Sequence, residues 1–98
     1  DDPGGIIVLE VNKIDYSLAE VAQIVEYNEA KVLSCYVTCM PDSNKVVITL
    51  KVNTARIEPI LDTFIRYRYV IKNTFVSGEE VNEEMRDRYG QLLKFMEM

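Results

Sequence analysis

The sequence predicts an α+β domain in which two helices pack against a four-stranded antiparallel sheet and a third helix follows at the C-terminus. Residues 31–40 and 45–52 alternate between apolar and polar side chains, which is the period of half-buried strands. Residues 17–28 and 57–64 repeat apolar side chains every three or four positions, the spacing of amphipathic helices. With two further β-rich runs, these patterns predict the element order βαββαβ.

The first strand is predicted at residues 6–11, with the side chains Ile-Ile-Val-Leu-Glu-Val. A run this apolar and β-branched is typical of a strand buried on both faces, and therefore of the centre of a sheet. A polar connection over residues 12–16 follows. Right-handed crossovers in a βαββαβ chain likewise place the first and third strands in the centre.

The first helix is predicted to begin at Ser17, because Glu20 three residues later completes a capping box. It ends near Asn28. Four residues form its apolar stripe, namely Leu18, Val21, Ala22 and Val25.

The second and third strands form a predicted hairpin around the polar turn at residues 41–44. In the second strand the alternation places one set of side chains on one face: Leu33, Cys35, Val37 and Cys39. It places another set on the opposite face: Val32, Ser34, Tyr36 and Thr38. The third strand is expected to point four residues inward: Val46, Ile48, Leu50 and Val52.

The second helix carries its apolar stripe on Ile57, Ile60, Leu61 and Phe64. Because of Pro59, two starts of this helix are possible: a first turn at residues 57–58, or a longer helix whose first turn is distorted. A fourth strand is predicted at residues 69–76.

A second capping box, Ser77 with Glu80, then opens a third helix. The apolar stripe of that helix is Val81, Met85, Tyr89, Leu92 and Met96.

These elements interleave into a ferredoxin-like sheet with both central helices on one face. We expect a flexible linker at residues 1–5, the domain at residues 6–76 and an amphipathic helix at residues 77–98. The Asp-Asp-Pro-Gly-Gly opening without Met predicts that the chain is a fragment of a larger protein.

The composition argues against several classes of function. The net charge of −5, from 11 basic and 16 acidic residues, argues against nucleic acid, which requires a basic surface. The chain has no His, so the commonest general base and metal ligand are missing; we expect no enzyme activity, no metal and no cofactor. The longest apolar runs are far shorter than the roughly 20 residues of a membrane span, so we expect no membrane contact.

The cysteines indicate a compartment. Cys35 and Cys39 are four residues apart in a predicted strand, which separates their Cα atoms by about 13 Å. A disulfide needs roughly 4.4–6.8 Å. We expect both to be core thiols in a reducing, cytoplasmic environment, with an interchain disulfide as the alternative.

The sequence lacks the residues that other functions of βαββαβ domains require. RNA recognition requires aromatic side chains on the central strands, and the third strand, Lys-Val-Val-Ile-Thr-Leu at residues 45–50, has none. The two cysteines are too far apart for a metallochaperone loop. The connection at residues 12–15 has neither the glycine nor the Arg of an acylphosphatase. Asp15 and Glu20 form a conceivable carboxylate pair, but capping explains Glu20.

The chain resembles ACT-type regulatory domains, and more specifically the ACT-like segment that closes bacterial tandem-CBS-domain proteins of the acetoin-utilisation-like kind. The similarity begins with Gly-Gly-Ile-Ile-Val-Leu-Glu-Val at residues 4–11 and Asp-Tyr-Ser-Leu at residues 15–18. It continues through Ala-Lys-Val-Leu-Ser-Cys-Tyr at residues 30–36 to Arg-Tyr-Gly-Gln-Leu-Leu at residues 88–93. It covers nearly the whole chain but has no motif as specific as a catalytic one.

The resemblance implies a regulatory domain that binds an amino acid or similar ligand between two copies and transmits binding to attached CBS domains upstream. The implied site is the connection after the first strand, against the second strand of the partner copy. Its candidate residues here are Asn12, Lys13, Asp15, Ser17, Ser34 and Tyr36. Many such domains have glycine in this connection, and residues 12–17 have none, so the site binds another ligand or none.

A second surface favours self-association. The sheet face opposite the helices is expected to carry Ile6, Val8, Tyr36 and Val47 beside Glu10, Thr49 and Lys51. We expect a homodimer formed through the second-strand edge, through shared C-terminal helices, or both. Two alternatives stay open: the C-terminal helix closes the core of a monomer, or the chain is an assembly module without a ligand.

Overall fold

The computed structural model describes residues 3–77. The strands are β1 (Gly4–Asn12), β2 (Val32–Cys39), β3 (Lys45–Val52) and β4 (Val70–Ser77). The helices are α1 (Leu18–Tyr27) and α2 (Glu58–Arg66), and a short 3-10 turn, Lys13–Asp15, follows β1. The C-terminal helix predicted for residues 77–98 lies outside the described residues, except that Ser77 ends β4.

The four strands form one antiparallel sheet in the order β2-β3-β1-β4. The prediction of an α+β domain with a four-stranded antiparallel sheet and two helices is therefore confirmed. The prediction that the first and third strands are central is confirmed as well. The boundary of the predicted linker was wrong in part, because Gly4 and Gly5 already pair within β1.

The core lies between one face of the sheet and the two helices. Its largest fully buried side chains are Phe64, Ile7, Leu9, Ile48, Leu50, Ile57, Ile60 and Leu61. Burying a side chain of this kind contributes about 1.5–3 kcal/mol. The ring of Phe64 also meets the ring of Tyr69 edge to face, with centroids 5.1 Å apart and an angle of 70° between the planes.

We call the sheet surface that points away from α1 and α2 the outer face. Along β1 the core-facing residues Ile7 and Leu9 are fully buried, whereas Ile6 and Val8 on the outer face are only partly buried. Within residues 3–77, β1 is thus covered on one face, although its sequence suggested burial on both.

A bulge near the start of β2 changes the predicted faces of that strand. Val32 pairs with Val52 and Ser34 pairs with Lys51, so Leu33 is an extra residue in the ladder. Val32 therefore packs against the core and Leu33 is 58% exposed, the reverse of the predicted assignment. From Ser34 onward the register agrees with the predicted alternation.

The opening of α1 is capped as predicted, since the Ser17 hydroxyl accepts a hydrogen bond from the Glu20 backbone N–H at 3.2 Å. The predicted stripe was wrong in part: Leu18 is exposed, and Ile24 is buried beside Val21 and Val25. Helix α2 begins at Glu58 with Pro59 in its first turn, where a missing N–H has little effect.

Both helices end in the same motif. Glu29 and Arg68 have φ of 63° and 71°, the left-handed region. Beyond α1, the Ala30 N–H donates to the Val25 carbonyl at 3.2 Å. Beyond α2, the Tyr69 N–H donates to the carbonyl of Phe64 at 3.0 Å. These are Schellman closures built without glycine.

Candidate functional site

The connection from β1 to α1 is held by short-range hydrogen bonds. The Lys45 ammonium donates to the Asn12 side-chain oxygen at 2.8 Å, and the Asn12 amide donates to the Asp15 carboxylate at 3.4 Å. The Lys13 backbone N–H donates to the Asn44 carbonyl at 2.7 Å. The structure therefore brings Asn12, Lys13 and Asp15 together beside the β2–β3 turn.

The middle of this connection projects into solvent. Ile14 is 93% exposed, and the flanking residues Lys13 and Asp15 are exposed as well. An ammonium, an apolar side chain and a carboxylate thus occupy three consecutive exposed positions. Ser17 lies further along, and its hydroxyl is already engaged in capping α1.

Ser34 and Tyr36, the other two candidate residues, lie on the outer face of β2. The pairing across the sheet places Ser34 level with Lys51 and Ile6, and Tyr36 level with Thr49 and Val8. Val8 precedes Asn12 by four residues of β1, which corresponds to about 13 Å along the strand. Within one chain, the structure does not bring Ser34 and Tyr36 to the β1–α1 connection.

Strand β2 is an edge of the described sheet and is unusually apolar for that position. Tyr36 is 74% exposed, and the other large exposed apolar residues of this strand and its turn are Leu33, Val37 and Met40. An edge offers backbone N–H and C=O groups to another strand. Together with these side chains, it is suited to pairing with a second chain.

A groove of about 590 Å³ lies between α1 and α2, away from the predicted site. Its lining includes Glu20, Gln23 and Tyr27 from α1, and Arg66 with Tyr67 from the end of α2. Sequence reasoning missed this groove. The available signal was a tyrosine at the end of each helix, but only the tertiary structure places the two helices side by side.

Glu20 has a second role that capping did not reveal. The Tyr69 hydroxyl donates to the Glu20 carboxylate at 2.7 Å. Burial raises the pKa of Tyr69 far above its ordinary value, and the hydrogen bond and negative charge of Glu20 raise it further. The Asp15 carboxylate instead accepts a hydrogen bond from the Asn12 side-chain amide, so Asp15 and Glu20 have different hydrogen-bond partners.

The cysteines differ in environment. Cys35 faces the core and is partly buried, which raises the pKa of its thiol. Cys39 is exposed, so the prediction that it is a core thiol was wrong. It lies on the core-facing side of β2, opposite Val46, but at the end of an edge strand that the helices leave uncovered. Both are free thiols.

Among residues 3–77, no group of three His, Cys, Asp or Glu side chains is arranged to hold a metal ion. Neither of the two helices in this part of the chain has the length and apolarity to cross a membrane. The chain matches no protein-family model, no curated protein and no solved structure.

Proposed function

We propose that the chain is a non-catalytic regulatory domain with an ACT-like, ferredoxin-like arrangement. In this proposal it binds a small ligand, such as an amino acid, between two copies and passes the binding to attached domains, among them CBS domains upstream. The observation that carries the proposal is the exposed apolar edge at β2, separated from the β1–α1 connection within one chain.

Pairing between two copies would shorten that separation for Ser34, although β3 and β2 still lie between β1 and the paired edge. Cys39 lies at the same end of the sheet as the β1–α1 connection, because it is level with Val46 and Val11. Ser34 lies toward the other end. If two β2 strands pair antiparallel about a twofold axis, Ser34 of a second copy moves next to the Cys39 end. The two halves of the candidate site then approach each other across the interface.

The exposed connection has a chemistry suited to a zwitterion. The exposed Lys13 ammonium can pair with a carboxylate. The Asp15 carboxylate, which accepts one hydrogen bond from Asn12, can also pair with an ammonium, and the exposed Ile14 lies between the two in sequence. An α-amino acid carries both charges on one carbon and has a side chain to set against the apolar surface. We therefore propose amino acids as the ligand class.

The test is a thermal-shift screen of the full chain against the twenty amino acids and adenine nucleotides. A ligand present at a hundred times its Kd should stabilise the domain by about 2.7 kcal/mol. For a ligand that binds, Lys13→Ala should abolish the shift, because it removes the cation beside Ile14. Arg66→Ala removes an exposed cation from the α1–α2 groove and is the matched control; it should leave the shift intact.

The opposite pattern, in which Arg66→Ala removes the shift and Lys13→Ala does not, would place the ligand in the helix groove and contradict the proposed site. A screen in which no compound stabilises the chain would contradict ligand binding by these classes.

A second candidate function is an assembly module that holds attached domains together without sensing a ligand. It is favoured by the hydrogen bonds already made in the connection, where Lys45, Asn12 and Asp15 form a chain of contacts. The absence of glycine from residues 12–17 points the same way, since side chains keep a ligand away from the backbone. A flat ligand screen together with a stable dimer would favour this function.

A further inference from the structure

The groove between α1 and α2 is lined by one face of each helix. On α1 the lining residues follow the helical repeat of three or four positions. They are Glu20, Gln23, Ile24 and Tyr27. On α2 the wall includes Thr63 and Arg66, which share one face of that helix. The volume of about 590 Å³ lies within the range of small-molecule sites, roughly 300–1,000 Å³.

Buried hydrogen bonds fix the two walls relative to each other. Thr63 is 5% exposed, and its hydroxyl donates to the Pro59 carbonyl at 2.9 Å. The Asn28 side-chain amide donates to the Thr63 hydroxyl at 3.2 Å and to the Ile24 carbonyl at 2.8 Å. This amide therefore joins the two helices at one end of the groove. A groove that is held in this way is formed before a ligand arrives, which lowers the entropic cost of binding.

The two ends of the groove differ in charge. Asn28, which follows α1, contacts Thr63 within α2, whereas Glu20 in the first turn of α1 accepts a hydrogen bond from Tyr69 beyond α2. Because these contacts occur in opposite order along the two helices, α1 and α2 run antiparallel. The Glu20 carboxylate therefore lies at one end of the groove, and Tyr27 lies at the other end, beside Asn28.

Arg66 supplies a cation between these ends. Its guanidinium donates to the Thr63 hydroxyl at 3.4 Å, which holds the side chain along the wall of the groove. A guanidinium has five N–H donors in a planar fork, more than this contact uses, and the fork matches the two oxygens of a carboxylate. The chemistry of the middle of the groove is therefore that of a carboxylate site.

The rest of such a ligand has a preferred direction. Toward Glu20, a second negative charge disfavours an anion. Toward Tyr27, the groove is apolar, since Ile24 is 4% exposed and lies one helical turn from the Tyr27 ring. Tyr27 is 83% exposed, so its ring is accessible for stacking.

We propose that the groove binds an aromatic carboxylate of the aryl acetate kind. The carboxylate pairs with Arg66, and the aromatic ring lies over Ile24 against Tyr27. The ligand needs no ammonium group, which distinguishes it from the amino acids proposed for the β1–α1 connection. This second site does not depend on that function or on association of two copies.

Titration of the full chain with indole-3-acetate and phenylacetate, followed by two-dimensional ¹H–¹⁵N NMR, tests the proposal. We expect Kd values in the millimolar range or below, with the largest signal shifts in α1 and α2. The corresponding amides, indole-3-acetamide and phenylacetamide, keep the ring and lack the charge. They should bind about tenfold more weakly or worse, because a charged hydrogen-bonded pair is lost.

Three variants locate the two parts of the ligand, after circular dichroism has established that each is folded. Arg66→Gln should raise Kd about tenfold. Arg68→Gln removes an exposed cation outside the groove and is the matched control, which should leave Kd within about twofold of wild type. Tyr27→Ala should raise Kd several-fold, because it removes the stacking surface.

The proposal is overturned if neither acid binds at millimolar concentration, or if the amides bind as tightly as the acids. Equal effects of Arg66→Gln and Arg68→Gln would show that the carboxylate does not pair with Arg66. An unchanged Kd in Tyr27→Ala would likewise contradict the placement of the ring. Loss of binding in Lys13→Ala, with Arg66→Gln unaffected, would place these acids in the β1–α1 connection and contradict a second site.

Discussion

The Tyr69 hydroxyl donates a hydrogen bond of 2.7 Å to the Glu20 carboxylate and thereby connects the residue before β4 to the first turn of α1. Tyr69 is almost completely buried, and its ring packs edge to face on Phe64. Glu20 also supplies the backbone N–H that Ser17 caps. One glutamate therefore contributes to the start of a helix and to the attachment of that helix to the sheet.

We predict that Tyr69→Phe lowers the free energy of unfolding by about 1–2 kcal/mol, because it removes a hydrogen bond to a charged group and keeps the ring contact. Urea denaturation of the two chains measures the difference. Tyr67→Phe is the control and should stay within about 0.5 kcal/mol of wild type, since Tyr67 is exposed. A Tyr69→Phe chain as stable as wild type would show that the hydrogen bond contributes nothing.

Because of the same tyrosine, we predict that the free energy of unfolding falls in alkali. Its pKa is raised in the folded chain, while unfolded tyrosine ionises near about pH 10. Above that pH the unfolded chain therefore binds fewer protons than the folded one, and the free energy of unfolding falls as pH rises. The contribution of Tyr69 is fully present below about pH 10 and decreases by roughly 1.4 kcal/mol per pH unit above it.

The measurement is urea unfolding of wild type and Tyr69→Phe between about pH 8 and pH 11, the range that spans the unfolded tyrosine pKa. The two chains differ only at residue 69, so the difference between the two curves isolates Tyr69. We expect the stability gap between wild type and variant to narrow above about pH 10. Parallel curves would contradict a raised Tyr69 pKa.

The helix ends offer a stabilising substitution. Glu29 follows α1 with φ of 63°, a conformation that disfavours side chains with a Cβ. We predict that Glu29→Gly raises the free energy of unfolding by about 1 kcal/mol. The control is Gln23→Gly, within the same helix and exposed, which should lower it by about 1 kcal/mol. Destabilisation of similar size by both substitutions would contradict the left-handed conformation at Glu29.

Gly5 is required by close packing. A Cβ at this position would lie 2.6 Å from Cγ2 of Ile57 and 3.2 Å from the carbonyl oxygen of Thr54. We predict that Gly5→Ala lowers the free energy of unfolding by about 1–3 kcal/mol, because the core must shift to admit a methyl group. Chemical denaturation measures the loss.

A double-mutant cycle identifies the cause of that loss. Ile57→Leu keeps the side-chain volume but removes Cγ2, so Gly5→Ala should cost less in the Ile57→Leu background than in wild type. Additive effects would show that contact with Ile57 is not responsible for the requirement for glycine.

The alternation of residues 45–52 was enough to predict β3 with one buried face. The right-handed crossovers of a βαββαβ chain were enough to predict that β1 and β3 are central. Three local features escaped prediction. Leu33 is extruded by a bulge that depends on the register with β3. Glu29 and Arg68 close their helices in a conformation usually marked by glycine. The bulge follows from pairing between strands, and the helix closures follow from backbone hydrogen bonds of Ala30 and Tyr69; the pattern of side chains reveals neither.

The candidate site was predictable only in part, for a related reason. Asn12, Lys13 and Asp15 are close in sequence, and their grouping in one connection follows from that proximity. The distance from this connection to Tyr36 depends on how far β2 is staggered along the sheet, which a single strand pattern does not determine. The α1–α2 groove likewise arises from the packing of helices distant in the chain.

The central proposal is that two copies associate through the β2 edge. Sedimentation equilibrium of the full chain, compared with Tyr36→Lys, tests it most directly. We expect a dimer for wild type and a monomer for Tyr36→Lys, because the new charges would face each other across the paired strands. Tyr27→Lys replaces an exposed tyrosine on α1 with the same charge and should remain dimeric. A monomeric wild-type chain at high micromolar concentration, or a Tyr36→Lys chain that dimerises as wild type does, would contradict the proposal.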